Sequence, residues 1–573
     1  MHFLCAANQD HLFNNNSGIP AMTKRSLLAV AIATLGIQSV QAAPFLPMDA
    51  RGLAMGNTGV ASAKRAHAPA YNPSLLSQAS EDDDFALIFP QVGVNLADEE
   101  ELVDSAQDIN DDIVPRFEDL FDDGQAGNFS DNVEALANAA DALASQIANI
   151  GVNDGRTNLQ KADDLRAAAN SFDTNLNSVN NRLAEVNTVT SDLTKSLNSI
   201  SGDPLRGRLG IGAALAIPSK SFAAALSLSG DVTFSGRAFF TQEDQNLINA
   251  YGQAASGYVQ TALNENISDQ INTIAQNVEN GAMPNASQIT AITNSVDQVA
   301  NYTSPDTVTT AAGDIRIFNN GELSAEAKDA DLNSQVQVVA VAVAELALSF
   351  SREFEIYGEN VAIGITPKLQ KVSTLHYASE MDNEDDIETD DIEDSREDYS
   401  KVNLDIGASY RFGSEGNWMI GLVGKNLLGG EFDYADAEVK GSPVRDYDNN
   451  PATPATPLYL KGGSIALDPQ YRAGVSYNSD WFNIAADIDL TENDPVAFEN
   501  PTQYAAIGAE LDIFSTLQLR LGYRTNMSVA DADMVSVGFG LSPFGIHLDI
   551  AAMANPSDPE KEAGVALETG FYF

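Results

Sequence analysis

Cysteine and histidine are scarce in this chain. Its 573 residues include one cysteine, Cys5, and five histidines. No histidine stands in an HExxH, paired-His or G-x-S-x-G context, which metalloproteases and serine hydrolases use. Cys5 precedes the predicted secretion signal, so the mature chain has no thiol and no disulfide. We therefore expect no metal ion, no cofactor and no enzymatic activity.

Basic residues are also few. Lys and Arg number 31 against 81 Asp and Glu, which gives a formal net charge of -50. A surface this acidic repels the phosphates of nucleic acids, so a nucleic-acid partner is not expected. The excess of acidic residues favours long, solvated loops.

The chain lacks an apolar run long enough for a membrane-spanning helix, which needs about 20 residues. Leu27–Ile37 is the apolar core of a signal peptide. It follows the basic stretch Met22-Thr-Lys-Arg-Ser and precedes the small residues of Val40-Gln41-Ala42. We predict a signal peptide at 22–42, cleavage after Ala42, and a start-site artefact at 1–21. Export without a helical anchor leaves the periplasm, the medium or a barrel.

Alternation of apolar and polar residues is the main pattern that is present. In Thr516–Arg524, Leu517, Leu519 and Leu521 alternate with Gln518, Arg520 and Gly522. A strand's side chains point to opposite faces in turn, so such a segment has one apolar and one polar face. Many such segments, a secretion signal and an aromatic end predict a transmembrane antiparallel β-barrel in a bacterial outer membrane, apolar outside and polar within.

The pattern predicts about 14 strands, an even number as in bacterial single-chain barrels. Short turns alternate with long connections along the chain, and we place the short turns in the periplasm and the long connections outside the cell. The predicted strands are Phe85–Val94, Arg206–Pro218, Phe222–Phe234, Gln335–Ser351, Glu359–Ala378, Val402–Phe412, Asn417–Lys425, Pro469–Tyr477, Trp481–Leu490, Gln503–Ile513, Thr516–Arg524, Met534–Leu541, Gly545–Met553 and Ala563–Phe573.

Two of the long connections change to a helical period. Apolar residues spaced three and four apart predict helical insertions at about 129–200 and 243–301. The first contains a heptad pattern from Leu165 to Ile200, interrupted at Thr190, which is typical of a helical hairpin or coiled coil. The loop Glu380–Asp398 is strongly acidic, and we interpret it as a solvated external loop.

The segment after the signal has a small-residue motif. Residues 50–61 read ARGLAMGNTGVA, and Asn72-Pro73-Ser74-Leu75-Leu76 follows. This pattern resembles the amino terminus of FadL-type outer-membrane transporters, and more closely that of the TraF-like barrel family of conjugal transfer proteins. In FadL-type proteins this segment folds as a hatch inside the barrel. The resemblance implies a hatch or plug at 43–80 here, before a barrel at 81–573. Its candidate residues are Arg51, Gly52, Gly56, Gly59, Asn72 and Pro73, and Ser74 replaces the usual Ala.

Ionisable residues on the polar strand faces are candidates to line the lumen. They are Asp405, Arg411, Arg472, Asp487, Asp489, Glu510, Asp512, Arg520, Arg524, Asp549 and Glu568. We favour a hydrated, salt-bridged lumen. The alternative is functional: Arg520 and Arg524, on one strand face, guide a carboxylate or hold the hatch.

Three hypotheses for the function remain open. The closer resemblance implies a TraF-like outer-membrane barrel with a surface or assembly role linked to plasmid conjugation. The second is a FadL-like channel for hydrophobic small molecules such as fatty acids. The third is a surface adhesin that acts through its helical hairpin. Expected partners are outer-membrane lipid, the barrel-assembly machinery, and either a hydrophobic ligand or a conjugation or surface protein.

The carboxy-terminal aromatics give the first testable prediction. Phe571 and the terminal Phe573 resemble the signal by which the barrel-assembly machinery recognises its clients. Deleting Phe573 should impair insertion and lower the amount of folded, heat-modifiable protein in outer-membrane fractions. Normal levels of heat-modifiable protein in the deletion would contradict this assignment.

Overall fold

The structure is a computed structural model that describes residues 46–78, 85–98, 101–121, 127–152, 154–310, 313–328, 333–380, 394–441, 458–493, 496, 498 and 500–572. The predicted signal peptide at 22–42, residues 1–21 and Phe573 lie outside the described residues, as do residues 43–45 and 79–80 of the predicted hatch. Most of the acidic loop Glu380–Asp398 also lies outside them.

The strands close into a barrel in which each strand pairs with its neighbours in the chain. The first strand also pairs with the last, with Ala86 opposite Tyr572 and Val94 opposite Val565. The 14 strands are β1 Ala86–Ala97, β2 Pro204–Ile217, β3 Ala223–Phe239, β4 Gln335–Ile356, β5 Glu359–Glu380, β6 Arg396–Phe412, β7 Trp418–Lys425, β8 Gln470–Asn478, β9 Phe482–Asp489, β10 Tyr504–Ile513, β11 Leu517–Asn526, β12 Asp533–Leu541, β13 Ile546–Ala554 and β14 Glu562–Tyr572. The predicted fold class is confirmed.

The alternation seen in the sequence is the alternation between the two faces of the wall. On β11, Leu521 is 62% exposed on the outside, whereas Arg520 is 5% exposed on the inside. An apolar exterior and a polar interior are what a barrel in lipid requires, because charged side chains on the lipid face destabilise it. The fold is therefore that of an outer-membrane β-barrel.

The wall is much taller on one side than on the other. β4 and β5 have 22 residues each, whereas β12 has 9. A tilted strand crosses a bilayer with about 9 to 11 residues. A short turn at Tyr357 and Gly358 joins β4 to β5, at the same end of the barrel as the other short turns. The extra length therefore stands at the opposite end, which we call the long-loop end.

The long-loop end carries short accessory strands and all the longer helices. Between β7 and β8, Glu431–Tyr434 pairs with Gly463–Ala466, and Ala437–Lys440 pairs with both β5 and Tyr459–Leu460. Small hairpins pair Val308–Thr310 with Gly313–Ile315 and Phe318–Asn319 with Glu322–Leu323.

The helices are α1 Ala50–Ala54, α2 Ala68–Tyr71, α3 Leu102–Asp108, α4 Val114–Phe121, α5 Phe129–Ala148, α6 Asn158–Ile200, α7 Gln242–Asn264, α8 Ile267–Glu279, α9 Ala286–Ala300 and α10 Ala325–Lys328. A π-helical turn, Ile109–Ile113, joins α3 to α4, and single 3-10 turns occupy Arg65–His67, Pro73–Ser77 and Pro543–Gly545. No helix among the described residues is long and apolar enough to cross a membrane.

The two helical insertions pack into one bundle. α6 packs against α5, α7 and α8, and α9 packs against α5. One continuous hydrophobic core contains residues from both insertions, including Phe172 and Val186 of α6 and Tyr258 and Ile271 of the second insertion. α6 begins at a Thr157 capping box with Gln160 and has 43 residues, so it is about 65 Å long. Its last residue lies just before β2.

Candidate functional site: the segment inside the barrel

Residues Leu46–Gln78, which we call the inner segment, lie inside the barrel. Nearly all of them are buried. Their hydrogen bonds reach strands on different sides of the wall: β2 through Leu46, β4 through Ser77, β6 through Asn72, β9 through Val60, β10 through Arg51 and β14 through His67. One segment can contact so many parts of a closed sheet only from its interior.

Three glycines of the motif allow the inner segment to fold tightly. Asp49 caps α1, because its Oδ1 accepts the Gly52 N–H at 2.6 Å. The Tyr71 ring packs across this turn, so a Cβ on Gly52 or Gly59 would lie 1.7 or 2.2 Å from Tyr71 atoms. Gly56 has a φ of +68° and lies against the backbone of Tyr523 on the wall.

The Asn72-Pro73 turn connects the inner segment to itself and to the wall. Asn72 Nδ2 donates to the Val60 carbonyl at 2.9 Å and to the Ala408 carbonyl of β6 at 3.2 Å. Its Oδ1 accepts the Ser74 N–H at 3.1 Å, which starts the 3-10 turn at Pro73. Ser74 stands in place of the usual Ala, and its Oγ donates a hydrogen bond to Ser409 Oγ on the wall at 2.8 Å.

Glu510 on β10 is the centre of a buried ion cluster. Its carboxylate accepts from Arg51 Nε at 2.9 Å and from Lys64 Nζ at 2.7 Å, both on the inner segment. Arg520 Nε on β11 lies 2.7 Å from the same carboxylate, and Arg520 also pairs with Asp549 on β13. Loss of one partner from a buried ion pair leaves an uncompensated charge, so the Glu510 contacts with Arg51 and Lys64 tie the inner segment to the wall, although Lys64 itself is half-exposed. Arg520 pairs with two carboxylates of the wall and reaches the segment only through Glu510, so its role in holding the hatch or guiding a ligand stays a prediction.

A second set of charged residues holds the middle of the inner segment. Asp487 Oδ2 on β9 accepts the N–H groups of Gly59 at 2.7 Å and Val60 at 2.9 Å. Next to it, Arg472 forms a two-pronged ion pair with Asp489. All three side chains are buried and face the lumen.

Arg524 and Arg411 contact the inner segment near opposite ends of the barrel. Arg524 donates to Asn57 Oδ1 at 2.7 Å near the long-loop end of β11 and contacts Glu562 at 3.3 Å. Arg411 lies at the short-turn end, where it is exposed and donates to the Gln78 carbonyl at 2.8 Å. Phe571 faces outward and is 39% exposed.

The wall glycines that receive the inner segment were not recognised from the sequence. A Cβ on Gly407, Gly421, Gly508, Gly522 or Gly538 would lie between 1.9 and 2.4 Å from an atom of the segment. These strand positions must therefore be glycine for the segment to lie where it does. A usable signal was present, since each of these glycines falls on the inward, polar face of its predicted strand.

Asp49, His67 and Glu568 were also not recognised as a group. His67 Nε2 lies 2.8 Å from Glu568 Oε1 and 3.7 Å from Asp49 Oδ1, and all three residues are buried. Burial alone would lower the pKa of His67, but the carboxylates of Glu568 and Asp49 outweigh it and raise that pKa. His67 and Glu568 are 501 residues apart, so no spacing in the sequence indicates their contact.

The fold and this interior define the class of the protein: an outer-membrane β-barrel whose lumen contains its own amino-terminal segment. The family model described as "F plasmid transfer operon, TraF, protein" matches residues 69–160 and 146–489. The chain belongs to this family, and the resemblance found in its sequence is confirmed.

Several of the similar solved structures are of hydrocarbon transporters. The toluene transporter TbuX of Ralstonia pickettii is 9% identical, with 92% of this chain and 99% of that chain covered and a TM-score of 0.41. The toluene transporter TodX of Pseudomonas putida is 9% identical, with 93% and 98% covered and a TM-score of 0.38. No curated protein sequence matches this chain.

The Glu510 cluster gives a prediction about the inner segment. Substituting Glu510→Gln leaves Arg51, Lys64 and Arg520 together without their shared carboxylate. Breaking a buried ion pair in this way costs about 3 to 5 kcal/mol. We expect the amides of residues 46–78 to exchange hydrogen at least about a hundredfold faster, as measured by mass spectrometry on the folded barrel.

Glu355→Gln is the matched control. Glu355 is an exposed carboxylate near the short-turn end of β4, so its substitution should leave exchange in the inner segment unchanged. Equal exchange in Glu510→Gln and the unsubstituted chain would show that the cluster does not hold the segment.

Proposed function

We propose that this protein is an outer-membrane anchor that presents its helical bundle at the cell surface for contact with a protein partner, in the process of plasmid transfer for which its family is described. The long-loop end faces outward in this proposal, because external loops of such barrels are long and periplasmic turns are short. The inner segment acts as a plug that keeps the barrel closed.

The single core shared by the two insertions is the observation that carries the proposal. Two separate loops that pack into one core form a surface of defined shape. A partner that binds a rigid surface loses little conformational entropy in ordering it. The bundle is also joined firmly to the wall. Asp244 of α7 accepts the N–H groups of Asn333 and Ser334, directly before β4.

The contents of the lumen favour a closed barrel and not an open pore. The inner segment crosses it, and Arg472, Glu510 and Arg520 of the wall form ion pairs with other wall residues or with the segment. A passage for apolar molecules would instead be lined mostly by apolar side chains.

The end of the bundle farthest from the barrel offers the most suitable contact surface. We define the bundle tip by Val152, Leu159 and Met283, which are 50%, 53% and 45% exposed. They belong to neighbouring turns, since Lys161 Nζ donates to the Val152 carbonyl at 2.6 Å and a Cβ on Gly281 would contact Asn158. α6 starts at the tip and ends at the barrel, so the tip stands about 65 Å from β2.

The charged residues beside the tip are paired with one another. Asp154 and Asp164 pair with Arg156, and Glu279 pairs with Arg166. The exposed apolar side chains are therefore the feature that a partner would recognise. We expect a protein partner with a complementary apolar patch.

The test is a mating assay with donor cells that carry a triple substitution at the tip. Val152→Ser, Leu159→Ser and Met283→Ser remove exposed apolar area without touching the bundle core. Loss of three such anchors should reduce plasmid transfer at least tenfold, because each buried apolar side chain contributes about 1.5 to 3 kcal/mol to a contact. The amount of folded, heat-modifiable protein in the outer membrane should not change.

Leu263→Ser is the control for this test. Leu263 is also exposed, but it lies at the end of α7 and not at the tip. Its substitution should leave transfer unchanged. Unchanged transfer with the triple variant, at normal surface levels, would refute the proposed role.

A second candidate function is uptake of a hydrophobic small molecule. The observation that favours it is an open groove of about 460 Å³ on the outer, lipid-facing side of the wall, between β3 and β6. Its apolar lining consists of Leu228, Leu346, Leu369 and Val402, and its size is that of small-molecule sites.

Native mass spectrometry of the detergent-extracted barrel tests this candidate. A bound apolar molecule should be present at about one per chain and should be lost in Leu369→Trp, which fills the groove and keeps an apolar surface. Leu519→Trp, on another part of the lipid face, is the control. An unsubstituted barrel without a bound molecule would reject this function.

A further inference from the structure

We propose that Asp49, His67 and Glu568 form a binding site for a divalent transition-metal ion of the Zn²⁺ class, which cross-links the inner segment to the last strand of the barrel. The inference goes beyond the proposed function and does not depend on any role of the helical bundle. It rests on geometry, on charge and on one unsatisfied polar atom.

The geometry is close to that of a three-ligand site. One ligand atom from each residue lies within 4.8 Å of the others. His67 Nε2 is 2.8 Å from Glu568 Oε1 and 3.7 Å from Asp49 Oδ1. Tetrahedral zinc with bonds of about 2.0 to 2.2 Å places its ligand atoms about 3.4 Å apart. Side-chain shifts of less than about 1 Å would therefore bring the three atoms to a common ion, with a water as the fourth ligand.

Charge at the site favours a divalent cation. Two carboxylates and one imidazole are enclosed there, and Glu568 is only 1% exposed. A divalent ion bound to the imidazole would neutralise both carboxylates, which lowers the cost of burying them.

The hydrogen bonds around the site are incomplete in a way that suits a ligand. Glu568 Oε2 has no hydrogen-bond partner among the described residues, although it is buried, and it belongs to the carboxylate that would bind the ion. Buried polar atoms are normally paired, so each such atom needs an explanation. Asp49, in contrast, is oriented by the Tyr71 hydroxyl, which donates to its Oδ2 at 2.6 Å. Such outer partners typically orient metal ligands.

The ligand types select the class of ion. One imidazole nitrogen and two carboxylate oxygens suit zinc and its first-row neighbours. Calcium prefers six to eight oxygen ligands, and the three residues cannot supply that number.

The position of the site gives the ion a structural role. Asp49 precedes α1 and His67 precedes α2, so the ion would join two separate parts of the inner segment. Glu568 on β14 would join both of them to the wall. Metal binding would thus stabilise the inner segment inside the barrel, and metal removal would loosen it.

The test uses the full-length protein, folded in detergent, without a histidine tag and stripped with a chelator. Titration with zinc chloride should show one ion per chain, and calcium chloride should show none. Glu568→Gln and His67→Gln should each weaken zinc binding at least about a hundredfold, since each removes a direct ligand. Zinc should also slow hydrogen exchange in residues 46–78 of the unsubstituted chain at least tenfold.

Glu345→Gln is the control variant. Glu345 is a lumen carboxylate on β4 that lies 3.1 Å from Lys368 Nζ, away from the cluster, so zinc affinity should not change. Failure to bind one zinc ion, or equal affinity in Glu568→Gln, would overturn the proposal in favour of an imidazolium held between two carboxylates.

X-ray absorption on the zinc-loaded, unsubstituted protein identifies the zinc ligands directly. It therefore tests the site even if a variant fails to insert. The expected first shell has one imidazole nitrogen and oxygen ligands. A shell without imidazole would place the ion elsewhere and overturn the site. None of these measurements involves a partner of the bundle, so their outcome is independent of the mating assay.

Discussion

Closure of the sheet is the constraint on which the rest of the structure depends. Inside a bilayer no water pairs with backbone N–H and C=O groups, so a sheet must leave no open edge. Here the pairing of β1 with β14 completes the ring. Closure also encloses the inward faces of all 14 strands. Every charged side chain on those faces then lies in a confined interior, and it must find a partner there or be destabilising.

The inner segment supplies many of those partners. Arg51 and Lys64 of the segment share Glu510 with Arg520 of the wall, and backbone N–H groups of the segment satisfy Asp487. The wall glycines complete the fit, because any side chain at Gly407 or Gly522 would overlap the segment. Charge decides which parts of the segment face which strands, and small residues decide how closely they approach. The segment and the wall are therefore one packed unit.

The local elements of the fold could be predicted from the sequence, because their signals are local. Alternation with a period of two identified all 14 strands. The long helices lie in the two connections where apolar residues recur every three or four positions. Glu568 and Asp549, which the alternation puts on the polar strand face, are buried. Contacts between distant residues had no such signal. Nothing near Lys64 or His67 indicates a carboxylate more than 400 residues away.

The packing of the two insertions into one bundle could not be predicted from the sequence, for a related reason. Each has an apolar stripe that would suit a self-contained hairpin, as we had predicted for the first. Only the closed wall brings their starting points together, since β2, β3 and β4 are adjacent and carry the insertions at the same end.

One strand connects the two packed units of the molecule. β2 contacts the inner segment, where Arg208 Nη2 donates to the Leu46 carbonyl at 3.3 Å, and it is preceded almost directly by α6. α6 in turn contributes the longest face of the bundle core, from Leu165 to Ile200. The path from the lumen to the bundle tip therefore consists of one rigid strand and one rigid helix. Whatever fixes the inner segment in the lumen also fixes the base from which the bundle is presented.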